Sequence, residues 1–377
     1  MENKLQRIFR IFDIAGDFIS GKPCGSGHIN DTFHVKAQHR TKQIDYVFQR
    51  INTNVFQHPD QLMENLTRVV DHCRHKLIQQ HVEEIDRRVL SVFKTVDGKS
   101  YYTDDDGSCW RTHLFIKGAS TFDIPEHHSQ LFEAAKAFGH FQGMLTDLPG
   151  EPLHETIPDF HNGPKRFENF KRVLKEDKHN RAKNVKAEID FLYDHSWIFY
   201  VLPDLVEDGQ IPVRITHNDT KINNVMLDDK TGEGVCVIDL DTVMPGLSLY
   251  DFGDLVRSTG SISREDEPDT SKVHLDVSRF EAVLRGYLAS AGEFLNSQEK
   301  HHLVLSSKLL CLMIGTRFLT DYLDGDKYFK VKRDGQNIDR TRTQFKLVES
   351  ITEQEDRLNE IISECITVNT AEDMCID

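Results

Sequence analysis

The sequence has no cysteine pairing pattern. Its seven cysteines, Cys24, Cys73, Cys109, Cys236, Cys311, Cys365 and Cys375, are scattered, odd in number and never spaced Cys-x-x-Cys. That argues against a disulfide framework or a cysteine zinc site and for reduced thiols. Long apolar runs are missing too. Met1 to Ile19 is too charged for a secretory signal. The most apolar stretch, Leu303 to Phe318, is interrupted by Lys308 and too short to span a bilayer, so a buried helix is expected there. Basic charge is in deficit: 46 Lys and Arg stand against 61 Asp and Glu, a net charge of −15, with no Lys/Arg block. This balance argues against nucleic acid or an anionic membrane as partner. No Gly-Lys-Ser/Thr opens a helix after the early glycines, so there is no P-loop. These absences leave an expectation of a cytoplasmic protein, and 377 residues suffice for two lobes with a substantial core.

What is present centres on Ile215-Thr-His-Asn-Asp-Thr-Lys-Ile-Asn-Asn-Val-Met-Leu-Asp228, followed by Val235-Cys-Val-Ile-Asp-Leu-Asp241. The pattern predicts a strand, a polar loop, a short strand, a turn over 228–234 and a second strand ending in Asp239. Such a hairpin returns its end to its start, so Asn224 and Asp239 can meet around one cation, and magnesium needs only a few oxygen ligands beside phosphates and waters. Asp219, Asn224 and Asp239 form the carboxylate, amide, carboxylate set that phosphoryl transfer requires. One aspartate orients the attacking hydroxyl and takes its proton; the asparagine and second aspartate hold the metal. The bland alternative is a surface hairpin with solvated acids. Lys221 could stabilise transferred charge or be a surface lysine, and Asp241 is a weaker metal candidate than Asp239.

The motif His217-x-Asp-x-x-x-x-Asn224 followed by Ile238-Asp239 resembles the aminoglycoside phosphotransferase and choline kinase superfamily, whose fold is similar to that of protein kinases. Three segments resemble bacterial N-acetylhexosamine 1-kinases in particular: His217 to Asn224, Val237 to Gly246 and Arg317 to Phe329. The resemblance runs from about Gly25 to about Leu347. It implies an α+β, two-lobed, protein-kinase-like fold: a small antiparallel sheet with a helix, then a larger, mainly helical lobe. The expected division is a nucleotide-binding lobe over 1–116 and a catalytic and acceptor lobe over 117–377. It further implies ATP and Mg2+, a sugar acceptor phosphorylated at the anomeric hydroxyl of N-acetylglucosamine or N-acetylgalactosamine, and His217 as part of the catalytic motif. Arg317 and Tyr328 become acceptor-contact candidates, and Asp251 becomes a brace for the catalytic loop, with an Asp254–Arg257 ion pair beside it.

On the nucleotide side, Gly25 and Gly27 sit in a turn that can bring backbone amides to phosphates, or can be an ordinary hairpin turn. The strand Tyr46 to Asn52 lacks the lysine that grips phosphates in kinases. By resemblance to choline-kinase-like members, Arg50 is expected in that role, with Gln49 as the alternative. Glu64, early in a helix predicted from Asp60 to about Gln80, is the candidate partner of that cation, or else a surface glutamate favoured by the helix dipole. Two other readings stay open: a kinase for another small alcohol such as choline, ethanolamine or an aminoglycoside, and an inactive nucleotide-binding scaffold.

Overall fold

The computed structural model describes residues 1–25 and 29–373, with side chains as far as Thr367. Gly27 therefore lies outside the described residues, as does Cys375, and the six described cysteines are all free thiols.

A short amphipathic helix, α1 (Glu2–Phe9), precedes three strands, β1 (Asp17–Pro23), β2 (Asp31–His39) and β3 (Lys42–Ile51). Helix α2 (Pro59–Gln79) and the single turn α3 (Ile85–Arg88) follow, then β4 (Val92–Phe93), β5 (Tyr102–Thr103) and β6 (Cys109–Leu114). These strands form one antiparallel sheet in the order β1-β2-β3-β6-β4, with β5 also on β6. One face of the sheet is sealed by α1: Leu5, Ile8 and Phe9 pack with Phe33, Phe48 and Trp110 in a small core of their own. The period-two pleat then sends the alternate residues of β3 and β6 to the other face.

α2 begins as its sequence dictates, with Pro59 in the first turn and Asp60 at the positive end of the dipole. Its stripe Leu62, Leu66, Val69, Val70 and Leu77 is buried, but in the larger core of the helical part rather than in the α1 cluster.

After β7 (Ala119–Ser120) come α4 (His128–Leu145), α5 (Gly163–Glu176), α6 (Lys186–His195) and α7 (Ile198–Glu207). Next are β8 (Arg214–Thr216), β9 (Val225–Asp228), β10 (Gly234–Val237), β11 (Met244–Gly246) and α8 (Ser248–Thr259). β10, β9 and β7 form a three-stranded antiparallel sheet, and β8 pairs with β11. The chain ends in α9 (Val277–Ala291), α10 (Ser297–His301), α11 (Leu303–Leu323), α12 (Gln336–Glu353) and α13 (Glu355–Asp373).

α11 is the apolar stretch expected as a buried helix. It is long and apolar enough to cross a membrane by length and composition alone, yet 83% of its most apolar window is buried inside the protein. α4 and α9 pack so closely that a Cβ on Gly286 would stand 2.1 Å from the Phe132 carbonyl oxygen. A glycine is the only residue that permits this approach.

One expectation shifts. β10 stops at Val237, and Asp239 lies beyond it with φ 58°, so the chain turns sharply at the carboxylate instead of running straight through it.

Candidate active site

The loop after β8 is fixed from behind by α8. Asp251, fully buried in the first turn of that helix, accepts hydrogen bonds from the His217 amide (2.8 Å) and the Asn218 amide (2.7 Å), and from the Gln142 side chain. Its own carbonyl accepts from the Thr220 hydroxyl at 2.6 Å. Burial pushes the Asp251 carboxyl above its ordinary value, opposed by His217 and by the amides it accepts from. Asn218 takes a left-handed φ of 66° and donates from Nδ2 to the carbonyls of Thr216 (3.1 Å) and Thr242 (2.9 Å). Beside the brace, Arg257 Nε donates to Asp254 Oδ1 at 2.7 Å, the expected ion pair.

His217 is wholly buried against Phe138 and Phe141. Its Nδ1 accepts the Asp219 amide at 3.3 Å, and its Nε2 donates to the Ile238 carbonyl at 2.9 Å. Both ring nitrogens are thus committed to main chain. The imidazole ties the loop to the β9–β10 hairpin and has no nitrogen free to exchange a proton with a substrate, which corrects its expected catalytic role to one of positioning.

Asp219 is what this scaffold presents. Its Oδ1 pairs with Lys221 Nζ at 2.7 Å, and Asn224 Nδ2 donates to its carbonyl (2.8 Å) and to its Oδ2 (3.2 Å). Burial alone would raise its carboxyl, but Lys221, with smaller help from His217 and Arg257, holds it below the ordinary carboxylate value. Asn224 is joined to the second hairpin strand through its carbonyl, which accepts from Ile238 N at 2.9 Å.

Asp239, the next residue, is open to the cleft and has no hydrogen bond or ion pair among the described residues. The surrounding protein withdraws it from bulk water, and the carboxylates of Asp241 and Asp219 add repulsion, so its carboxyl is pushed up to about 6. An unpaired, crowded carboxylate beside an amide is a donor set that gains from a cation.

The phosphate-gripping side is rearranged from expectation. Arg50 shares the face of Tyr46 and Phe48; there it pairs with Asp31 (2.8 Å) and lies 6.0 Å from the centre of the Trp110 ring. Strand alternation therefore turns it toward α1 and away from the cleft. Glu64 accordingly meets His154 at 3.1 Å, not Arg50. The cation on the other face is Arg111 of β6, fully buried. Its Nε donates to Gln49 Oε1 at 2.9 Å, and its Nη1 pairs with Asp241, which also accepts from Asn30 Nδ2 at 2.6 Å. Asp241 is thus satisfied by protein, unlike Asp239. His113 also donates to Gln49 Oε1 (2.9 Å), and burial together with Arg111 pushes it down to about 3, so it stays neutral. Gly25 has φ +84° with open space around it, as a turn glycine should.

Arg317, expected as an acceptor contact, donates to the Tyr328 hydroxyl at 3.3 Å. Its guanidinium lies over Phe160 (5.6 Å), Tyr328 (5.6 Å) and Phe329 (5.4 Å). Asp321 shapes this corner by accepting the amides of Lys327, Tyr328 and Phe329. His161 Nε2 donates to the Asn218 carbonyl at 2.8 Å, which joins the 160–161 segment to the catalytic loop. Sequence reasoning singled out Arg317 and Tyr328. It missed Arg111 altogether, although a charged residue alternating with Cys109 and His113 inside an apolar strand was the signal.

Residues 20–292 match the model of APH, the phosphotransferase enzyme family. Among solved structures, the chain is similar to an aminoglycoside phosphotransferase from Alicyclobacillus acidocaldarius, with TM-score 0.57 and 11% identity over 95% of this chain and 93% of that one. It is similar to a spectinomycin phosphotransferase in complex with ADP and spectinomycin, with TM-score 0.52 and 10% identity over 93% and 99%. It also resembles a choline kinase from Cryptosporidium parvum, with TM-score 0.52 and 14% identity over 91% and 92%. At these identities the likeness is one of fold.

Proposed function

This chain belongs to the phosphotransferase enzyme family, as a small-molecule phosphotransferase of the aminoglycoside phosphotransferase and choline kinase type, and from that premise we propose that it transfers the γ-phosphoryl group of ATP to the anomeric hydroxyl of an N-acetylhexosamine. The nucleotide assignment draws support from the relative crystallised with ADP. The observation that carries the reading is the pairing of two unlike carboxylates. Asp219 is held ionised by Lys221, while Asp239 has no hydrogen-bond or ion-pair partner among the described residues.

Asp219 orients the acceptor hydroxyl and takes its proton, late in a loose transition state. Asp239 and Asn224 would hold Mg2+, which when bound neutralises charge on the nucleotide phosphates. Their fit to the ion rests on the unsatisfied Asp239 carboxylate and on the amide beside it. Lys221 stabilises charge near Asp219, and His217 and Asp251 keep the loop in place. Arg111, not Arg50, is the cation that faces the phosphates. Gly25 belongs to the loop proposed to close over them. Chain 1–116 forms the nucleotide lobe and 117–377 the acceptor lobe.

Arg317 among three aromatic rings suits a neutral acceptor. Its guanidinium can donate to an acetamido oxygen or a hydroxyl, and a ring can lie against the sugar face. A resident cation opposes choline or an aminoglycoside at that corner. ADP release with ATP and magnesium, measured across N-acetylglucosamine, N-acetylgalactosamine, plain hexoses, choline and an aminoglycoside, tests the reading. Turnover chiefly on the N-acetylhexosamines is expected. Turnover only on another alcohol would keep the chemistry and remove the acceptor; silence with nucleotide still bound would favour an inactive scaffold.

A further inference from the structure

A second cavity of about 370 Å³ lies behind the hairpins, between α2, α4 and β10. It has no lining residue in common with the Asp219, Asn224, Asp239 and Arg111 set. Its body is apolar: Cys73 and Leu77 of α2 face Phe141 and Met144 of α4, with Cys236 and Val237 of β10 between them. That volume falls within the range of small-molecule sites.

The charges are on the rim. Arg88 and Lys136 supply basic charges and Glu133 and Glu233 supply acids, while burial, with Lys136 and Arg88 beside it, holds the His140 imidazole below its ordinary value. Glu133 is already occupied: its Oε2 accepts from Gly234 N at 3.2 Å, and its other oxygen stands 3.6 Å from Lys136 Nζ. Arg88 is different. Nearby Arg87 pairs with Glu84 and Asp228, Arg74 pairs with Asp86, and Lys76 pairs with Asp147. Arg88 makes no hydrogen bond or ion pair among the described residues. An arginine fork left unpaired at the mouth of an apolar cavity matches a carboxylate on an apolar body.

We propose that this cavity is a ligand site, separate from the catalytic cleft, for a small amphipathic monocarboxylate whose apolar body packs among Cys73, Met144 and Cys236 and whose carboxylate meets Arg88. The inference does not depend on the identity of the acceptor. The site also borders two elements that lead into the cleft. α2 carries Asn65, which donates to the Val243 carbonyl at 3.2 Å, and β10 runs on to Asp239.

The test is calorimetric titration of the full-length protein with 4-phenylbutyrate, with and without ADP and magnesium, beside the amine analogue 4-phenylbutylamine. One-to-one saturable binding of the carboxylate is expected in both conditions, and none of the amine. Arg88→Ala, a rim substitution that leaves the core untouched, is expected to weaken binding by about tenfold or more, the worth of one charge-assisted pair. Val82→Phe, which fills the mouth, is expected to abolish it. Absence of saturable binding to the native protein, equal affinity for the amine, displacement by ADP, or unchanged affinity in Arg88→Ala would each overturn the proposal.

Discussion

At the scale of single residues, the site separates two aspartates by what each lacks. Asp219 pairs with Lys221 and accepts a hydrogen bond from the Asn224 amide; Asp239 makes neither kind of contact among the described residues. The Asp239 carboxyl is raised from an ordinary 3.8 to about 6, so ionising it costs folded-state stability. For an acid raised on folding, that cost is absent below the ordinary value and complete above about 6. Without magnesium, Asp239→Asn is therefore expected to melt at a higher temperature than the native protein at pH 7.5, with a narrower gap at pH 5; thermal melts at the two pH values check this. Affinity for magnesium-ADP in the native protein is expected to fall as pH drops below about 6, and that dependence is expected to vanish in Asp239→Asn. A pH series of nucleotide titrations would show a flat native profile if the carboxylate is not the ligand.

Arg111 and Arg50 supply a second residue-scale comparison. Arg111→Met is expected to raise the KM for ATP by about tenfold or more, and to cost roughly 3 kcal/mol because Asp241 is left buried without its cation. Arg50→Met, on the far face of the sheet, is expected to change KM by less than about twofold. Equal effects in steady-state kinetics would remove the distinction.

At the scale of elements, the polar loop is held by the start of α8. Removing the Asp251 carboxylate leaves two buried amides unsatisfied. Asp251→Ala is expected to lose about 2–4 kcal/mol in urea unfolding and to lower kcat even where the protein remains folded. A variant with native kcat would show that the loop does not need the brace. Close packing of α4 on α9 gives a separate expectation: Gly286→Ala places its methyl 2.1 Å from a backbone oxygen and is expected to cost about 1–3 kcal/mol, seen as a lower melting temperature with KM unchanged.

The hairpins were legible because their signals are local: short apolar strands, a glycine-bearing turn and acids at fixed offsets. The inward face of β3 was not legible in the same way. Alternation separates Arg50 from Gln49 in the sequence, but which of them faces the cleft is decided by α1 covering one side of the sheet, and that packing has no signature in the strand itself. Glu64 failed for the same reason, since its expected partner was on the wrong face. Asp239 illustrates a subtler limit: a left-handed φ at an aspartate is affordable to the chain but is not announced by its neighbours.

At the scale of the whole molecule, the sheet and the helical part meet through polar ties across the cleft. Arg111 and Asn30 reach Asp241 from the sheet side, and Asn65 of α2 reaches Val243. In the proposed mechanism the helical part supplies the base and the metal donors, and the sheet supplies the phosphate-facing cation. The two-lobed architecture is implied by the family resemblance that the catalytic motif carries, and the length of 377 residues allows it. The pairing between the parts depends on residues far apart in sequence, such as Arg111 with Asp241, which a single sequence does not couple.

The central claim is that Asp219 accepts the proton of the attacking hydroxyl while other groups hold the nucleotide. Its most direct test is Asp219→Asn, assayed for turnover and titrated with magnesium-ADP. The account expects kcat to fall on the order of a thousandfold with nucleotide affinity within about threefold of native. Turnover close to that of the native protein would contradict it.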